Sequence, residues 1–203
     1  MFAKTVPGGA LWRLCGLLAV FSLMTFAGGC VTSVQPILTD KQVMRDEGIP
    51  GSWVSAENSG ETIEVVAVPE GGYTARYRDK DGKIGNFRIR IGMIGEMKIA
   101  EIAPAEVDIP ANDVYKAHLR PVFSFLWITQ SKPELRGRAL NPDWLRDYLK
   151  EHPGELQAVC GEHDVLITSP TADIQAFLLR HHKDKDAFGD EARFVRPKGA
   201  AAG

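Results

Sequence analysis

The chain has 203 residues, with 24 Lys and Arg against 26 Asp and Glu, a formal net charge of −2, and three cysteines. So even a balance, without a basic face or an arginine-rich arm, excludes a nucleic-acid grip and electrostatic docking on anionic lipid as the basis of function. The length suits one domain with a genuine core and is short for two.

Lys4 and Arg13 precede an apolar run from Leu14 to Phe26, no acid occurs before Cys30, and Ala27, Gly28 and Gly29 lead into that cysteine. A positive segment, an apolar stretch of this length and a small-residue cut site are the parts of a secretory leader. An uncut membrane span needs roughly 20 apolar residues, more than this run supplies. With cysteine following the cut, the stretch from Ala27 to Cys30 resembles the lipobox of bacterial lipoproteins. Gly28 and Gly29 fit that pattern; Ala27 stands where a larger aliphatic residue is usual. The resemblance implies loss of residues 1–29 and a thioether-linked lipid with acyl chains of the palmitate kind on Cys30. It also implies a body folded outside the cytoplasm and held to a bacterial envelope membrane. Val31, rather than an aspartate, after the cysteine implies the outer membrane.

Without Lys4 and Arg13 the processed chain carries 22 basic and 26 acidic side chains. Cys15 leaves with the leader and Cys30 is acylated, so Cys160 alone remains in the body and no intramolecular disulfide can form. Leu156, Ala158 and Cys160 on alternate positions predict that this thiol is buried.

Residues 31 to 37 are small and polar and read as a tether. Thr39 to Gln42 matches a capping box, with Leu38 and Val43 placed for a hydrophobic staple, and predicts a short helix ending near Gly48. From Gly51 the apolar period changes to two, predicting strands that begin at Gly51, at Thr62 to Val68 and at Gly72 to Arg78. Asp79-Lys80-Asp81-Gly82 is a hairpin turn with glycine available for positive φ. Phe87, Ile89 and Ile91 alternate with Arg88 and Arg90, as Tyr73, Ala75 and Tyr77 do with Arg76 and Arg78, so one face of this sheet is wet and cationic. Gly92 and Gly95 predict a turn into a strand from Met97 to Ala103. Three prolines make residues 104 to 121 a long excursion.

Val122 to Gln130 is apolar on both faces, which requires a cover on each. Glu134 to Leu140 follows. Asn141-Pro142 starts a helix with Trp144, Leu145, Tyr148 and Leu149 on its buried stripe and Asp143, Arg146, Asp147 and Lys150 facing out. A hairpin from Glu155 to Thr168 comes next. Ser169-Pro170 repeats the cap-and-proline start for a second helix buried through Ile174, Phe177 and Leu178. Phe194 and Val195 form a last short strand.

This pattern predicts a mainly β fold, an antiparallel meander forming a curled sheet or barrel with two short late α-helices. Its parts are a leader over 1–29, the lipidated cysteine with tether and short helix over 30–48, one β-rich domain over 49–197, and a disordered tail over 198–203. Gly51-Ser52-Trp53, opening the first strand of the meander after a short helical turn, is similar to the G-x-W signature of lipocalins. That resemblance implies a lipocalin-like barrel closed at one end by Trp53, with an arginine from a late strand, Arg193 or Arg196, across its ring. The lipocalin plan of eight consecutive strands and one helix differs from a chain with helices between its late strands.

Chemistry-bearing residues are sparse. Cys160 and His163, with His181 or His182, are the residues an enzyme or metal reading would use, but a hairpin places Cys160 on a strand and His163 at its tip, so the side chains need not converge. Asp79 and Asp81 resemble the start of a calcium loop without its later acidic ligands. No phosphate loop or nucleophile elbow is present. The sequence therefore assigns no catalytic residue, metal or cofactor. Arg76, Arg78, Arg88 and Arg90 are candidate ligand or anion contacts, or a solvated face balanced by Glu64, Glu96 or Glu101. The leading reading is a non-catalytic, lipid-anchored envelope protein binding a small apolar ligand or lipid. The alternative is an assembly module with a filled core, docking on an envelope protein through its exposed sheet face.

Overall fold

The computed structural model describes residues 29–69, 71–105 and 109–197. The expected leader, up to residue 28, and the expected tail over 198–203 lie outside the described residues. In chain order the strands are β1 Val31–Ser33, β2 Val43–Met44, β3 Gly51–Ser55, β4 Thr62–Ala67, β5 Tyr73–Arg78, β6 Ile84–Ile94, β7 Met97–Pro104, β8 Phe123–Gln130, β9 Leu135–Ala139, β10 Ala158–Cys160, β11 Val165–Ile167 and β12 Ala192–Val195. The α-helices are α1 Asp113–Ala117, α2 Pro142–Glu151 and α3 Thr171–His181. No helix among the described residues is long and apolar enough to cross a membrane.

Strands β3 to β9 together with β12 form a closed antiparallel barrel of eight strands, of the lipocalin-like kind that the alternation predicts. Consecutive strands pair from β3 to β9, and β12 closes the ring by sitting between β9 and β3, with Phe194 opposite both Leu135 and Ser55. The β5–β6 hairpin turns where expected. Asp79 Oδ1 accepts from the N–H of Asp81 at 2.9 Å and of Lys83 at 2.8 Å, while Gly82 takes a φ of 81°. An aspartate bonding its own turn and a glycine free to enter the left-handed region are what a tight turn needs.

Two cores share the barrel wall. Inside it, the alternation buries Trp53, Val65, Tyr73, Ala75, Ile91, Ala100 and Ile128. Outside it, Ile94, Met97, Ile99 and Phe125 of the wall pack against Leu145 of α2, against Ile174, Phe177 and Leu178 of α3, and against Ile37 and Leu38. Each such side chain contributes roughly 1.5 to 3 kcal/mol on burial, so the outer layer is integral to the fold. This explains why β8 is apolar on both faces: Leu126 and Ile128 serve the inner core, Phe125 and Trp127 the outer one. Helix α2 starts as expected, with Asn141 Oδ1 accepting from the N–H of Asp143 at 3.0 Å and of Trp144 at 3.3 Å.

Several local expectations are corrected. Residues 31–37 are not a plain tether: β1 pairs in parallel with β11 and antiparallel with the start of β8, and Ile37 is fully buried. The helix expected from Thr39 to Gly48 is a single 3₁₀ turn, Asp40–Gln42, because β2 then pairs with Gly92 and Ile91 of β6 and captures the chain. For the same reason Gly92 is interior to β6, not at a turn, and the reversal falls at Gly95 and Glu96. The excursion holds a third helix, α1, capped by Asn112. Ser169 does not cap α3. Its buried hydroxyl accepts from the N–H of Gln157 at 2.7 Å and so ties α3 to the preceding hairpin.

Candidate functional site

The two ends of the barrel are built differently. The β3 start, the β4–β5, β6–β7 and β8–β9 turns, and the strap over residues 45–50 that leads into β3 gather at one end. There the Tyr73 hydroxyl donates to Asp46 O at 3.1 Å and accepts from Asp46 N–H at 2.7 Å, and Lys98 Nζ donates to Asp46 Oδ2 at 2.6 Å. Trp53, 1% exposed, donates its indole N–H to Ile49 O at 2.9 Å. The guanidinium carbon of Arg196 lies 3.6 Å from the Trp53 ring centroid, and its Nη2 donates to Pro50 O at 2.8 Å and Gly48 O at 3.2 Å. Of the two candidate arginines it is therefore Arg196 that crosses the ring; Arg193 is exposed and lies 3.7 Å from Glu134. Gly51 permits this contact. Its φ is 117°, and a Cβ built there would stand 2.0 Å from Arg196 Nη1.

Burial pushes the Asp46 carboxyl up, but hydrogen bonds from Lys98, the Gly48 N–H and Ser131 more than reverse it, and the group titrates below the ordinary carboxylate range. A depressed folded-state pKa adds stability that is present above the unfolded value and is lost as pH falls through the folded one. The closed end is therefore expected to loosen on acidification below the ordinary aspartate range. Acid titration of unfolding midpoints, wild type against Asp46→Asn, checks this, and the variant should lose part of the acid-side slope.

At the opposite end, where the loops 56–61 and 79–83 lie, the inward-facing Ile63, Tyr77, Phe87 and Leu126 are half-buried rather than buried. Helix α1, between β7 and β8, exposes Val114 by 73% and Tyr115 by 56%. The lower barrel is thus filled and the upper end is apolar and accessible.

The four candidate arginines do not form one site. Arg76 faces Glu64 across the β4–β5 pair and Asn86 across β5–β6, Arg78 faces Thr62 and Ile84, and Arg88 faces Thr74 and Ala103; these three are exposed. Arg90 is drawn out of the set. Its Nε donates to Glu101 Oε1 at 2.7 Å, Nη1 to Asp40 Oδ1 at 2.9 Å and Nη2 to Leu38 O at 2.8 Å. Glu101 is 3% exposed, and its other oxygen accepts from the N–H groups of Ile37 at 2.6 Å and Leu38 at 2.9 Å. The Glu101 hydrogen bond, against the opposing effect of burial, holds the Arg90 guanidinium protonated beyond the usual arginine value. Arg90 and Glu101 are an anchor for the N-terminal segment. Only the facing of Arg90 and Glu101 across β6 and β7 could be read from an alternating strand pair; that Glu101 bonds two backbone amides from residues far earlier could not.

Cys160, expected to be buried, is exposed: it lies on the edge strand β10 and lines an open cleft rather than a packed core. A thiol-reactive chromogenic disulfide is therefore expected to titrate Cys160 fully in native protein, at a rate that denaturant raises only slightly; a slow reaction that awaits unfolding would mean a hidden thiol. His163 is exposed at the hairpin tip with Glu162 3.7 Å away. His181 instead pairs with Asp184 at 2.6 Å and His182 with Glu96 at 2.8 Å, at the far end of α3. Among the described residues no group of three or more His, Cys, Asp or Glu is placed to hold a metal ion.

Two clefts flank α2, outside the barrel. One of about 570 Å³ separates the second half of α2 from β10 and is lined by Arg146, Leu149, Lys150, Leu156, Ala158 and Cys160 among others. The other, about 350 Å³, is lined by Trp144 and Tyr148 with the carboxylates of Asp143, Asp147, Glu151 and Asp186. Arg146, which the helical wheel turns outward, is 17% exposed because the β10–β11 hairpin packs beside α2. Compared with known proteins, the chain matches no family model, no curated protein and no solved structure.

Proposed function

We propose that this is a non-catalytic barrel protein of a bacterial envelope, held to the outer membrane by lipid on Cys30, that receives a small apolar ligand or the end of an acyl chain in its open mouth. The observation that carries this reading is the half-buried, inward-facing set Ile63, Tyr77, Phe87 and Leu126 above an interior stoppered by Trp53. An eight-stranded barrel is wide enough either for its own side chains or for one small ligand. Here side chains occupy the lower part, so the reading is of a shallow apolar seat that takes a ring or a chain end, not a whole amphiphile. Docking through the sheet face is the second reading. Val66 at 62% exposure and Ile84 at 44% lie on the outer face among Arg76, Arg78 and Arg88, and favour an apolar contact edged with cations.

Native mass spectrometry of protein taken from its own membrane is expected to show a bound apolar species and a diacylglycerol-modified Cys30, with Cys30→Ser releasing the protein from the membrane. A fluorescent polyene fatty acid should brighten on titration, and Phe87→Glu should weaken that binding at least about tenfold by placing a charge in the apolar seat. Absence of any ligand in the spectrum, together with no brightening, would leave the docking reading.

A further inference from the structure

The cleft between α2 and β10 combines three features that the barrel reading does not use. The first is a guanidinium that is paired through only one of its three nitrogens. Arg146 Nη1 donates to the exposed Asp143 carboxylate at 2.9 Å, but Nε and Nη2 are buried with no hydrogen-bond partner. Those two nitrogens share the side-on edge of the guanidinium, the fork whose two parallel N–H groups match the two oxygens of a carboxylate. Buried charged donors left unpaired are costly, and in native structures such orphans are usually explained by a group that completes them.

The second feature is a free strand edge. Gln157 O accepts from Thr168 N–H at 2.8 Å and Gly161 N–H donates to Asp164 O at 2.9 Å, so residues 157 and 161 bond across to the β11 side. With the register Val159↔Leu166, antiparallel alternation makes 159 the bonded position between them and turns the N–H and C=O of Ala158 and Cys160 away from β11. Strand β10 pairs with β11 alone among the described residues, so those groups have no ladder partner. The third feature is the cleft itself, about 570 Å³, with Leu149, Leu156 and Ala158 supplying an apolar lining and Lys150 a second cation.

We propose that this cleft binds an extended segment of a partner protein as a strand added to β10, with an acidic side chain of that segment seated in the side-on fork of Arg146. Main-chain bonds to an exposed edge supply affinity without sequence demands, and the buried cation supplies the choice of an acidic residue. Lys150, 67% exposed and paired with Asp147 at 2.8 Å, lines the same cleft and adds a second positive charge near the entering carboxylate. The inference is independent of any ligand in the barrel, which lies on the other side of the β7–β8 wall.

The test uses the intact folded body and a pool of capped seven-residue peptides that alternate valine and threonine around a central glutamate. Binding is followed by nuclear magnetic resonance of the backbone amides and the Arg146 Nε–H. Saturation is expected to slow hydrogen exchange at Ala158 and Cys160 at least about tenfold while leaving Val159 unchanged, and to shift the Arg146 Nε–H signal. The same pool with glutamine at the centre should bind at least about tenfold more weakly, as should Arg146→Lys, which keeps the charge but lacks the fork. Cys160→Pro, which removes one outward N–H at an edge, should abolish binding with the thermal midpoint little changed, separating lost pairing from lost folding. No effect of the pool on the Ala158 and Cys160 amides would overturn the proposal. So would equal binding of glutamine peptides, or an Arg146 shift produced as well by free glutarate without any change at the β10 amides.

Discussion

Trp53→Ala is expected to lower unfolding stability by about 3 to 5 kcal/mol, the range for deleting a fully buried large aromatic side chain. Three losses coincide. The ring fills the lower barrel beside Val65, Tyr73 and Ile91. Its indole N–H holds the strap by bonding Ile49 O. Its face carries the Arg196 guanidinium, a contact worth on the order of 1 to 2 kcal/mol when desolvated. Without the ring Arg196 keeps its bonds to Gly48 O and Pro50 O but lies over a cavity, and burial already pushes its guanidinium down from the usual value. Trp53→Phe should recover part of the loss, since it restores the ring and not the N–H. Denaturant midpoints at constant slope measure both; a near-neutral Trp53→Ala would mean that the ring does not close the barrel.

Glu101→Ala should cost a similar amount, about 3 to 5 kcal/mol, for a different reason. The carboxylate, 3% exposed, is the shared acceptor for the Ile37 and Leu38 amides and the Arg90 guanidinium. Removing it leaves two backbone N–H groups unpaired in a buried site and takes from Arg90 its buried carboxylate, leaving that guanidinium to the exposed Asp40 and the Leu38 carbonyl. Replacing both members of the ion pair, Arg90→Met with Glu101→Leu, should recover the ionic part only, because the two amides stay orphaned. The distinguishing measurement is hydrogen exchange: in Glu101→Ala the amides of Ile37 and Leu38 should lose protection well before the barrel amides do. Equal protection of these amides in variant and wild type would show that Glu101 does not hold the segment.

These two positions also mark the boundary between what is legible in a sequence and what is not. The place of Trp53 is legible through a resemblance, that of Gly51-Ser52-Trp53 to the lipocalin G-x-W signature, which implies a ring at the closed end; its position at the head of an alternating strand is the local part. The meander from Gly51 to Ile91, the Asp79 turn, the α2 start at Asn141 and the two-faced character of β8 are local in the same way, set by side-chain period and turn chemistry. Expectations failed where a distant partner decided the outcome. The capping box at Thr39 forms, with Thr39 N–H donating to Gln42 Oε1 at 2.9 Å, yet the helix stops after one turn because β6 offers Val43 and Met44 a ladder. Cys160 sits in an alternating apolar pattern and is exposed because its side of β10 meets an open cleft instead of a packed layer.

By itself, then, the sequence determined a mainly β body with two helices placed late and the strand that opens the barrel, since each rests on a periodicity of two or 3.6 and a few adjacent residues; the ring at its closed end is what the G-x-W resemblance implies. Only the tertiary structure decided that β12 closes the ring, that Arg196 rather than Arg193 covers Trp53, that Arg90 is an anchor and not a surface cation, and that Arg146 keeps two buried nitrogens without a partner beside a free edge. Those outcomes depend on contacts between residues tens of positions apart, and no local pattern records which of several chemically equivalent side chains the folded chain brings within reach.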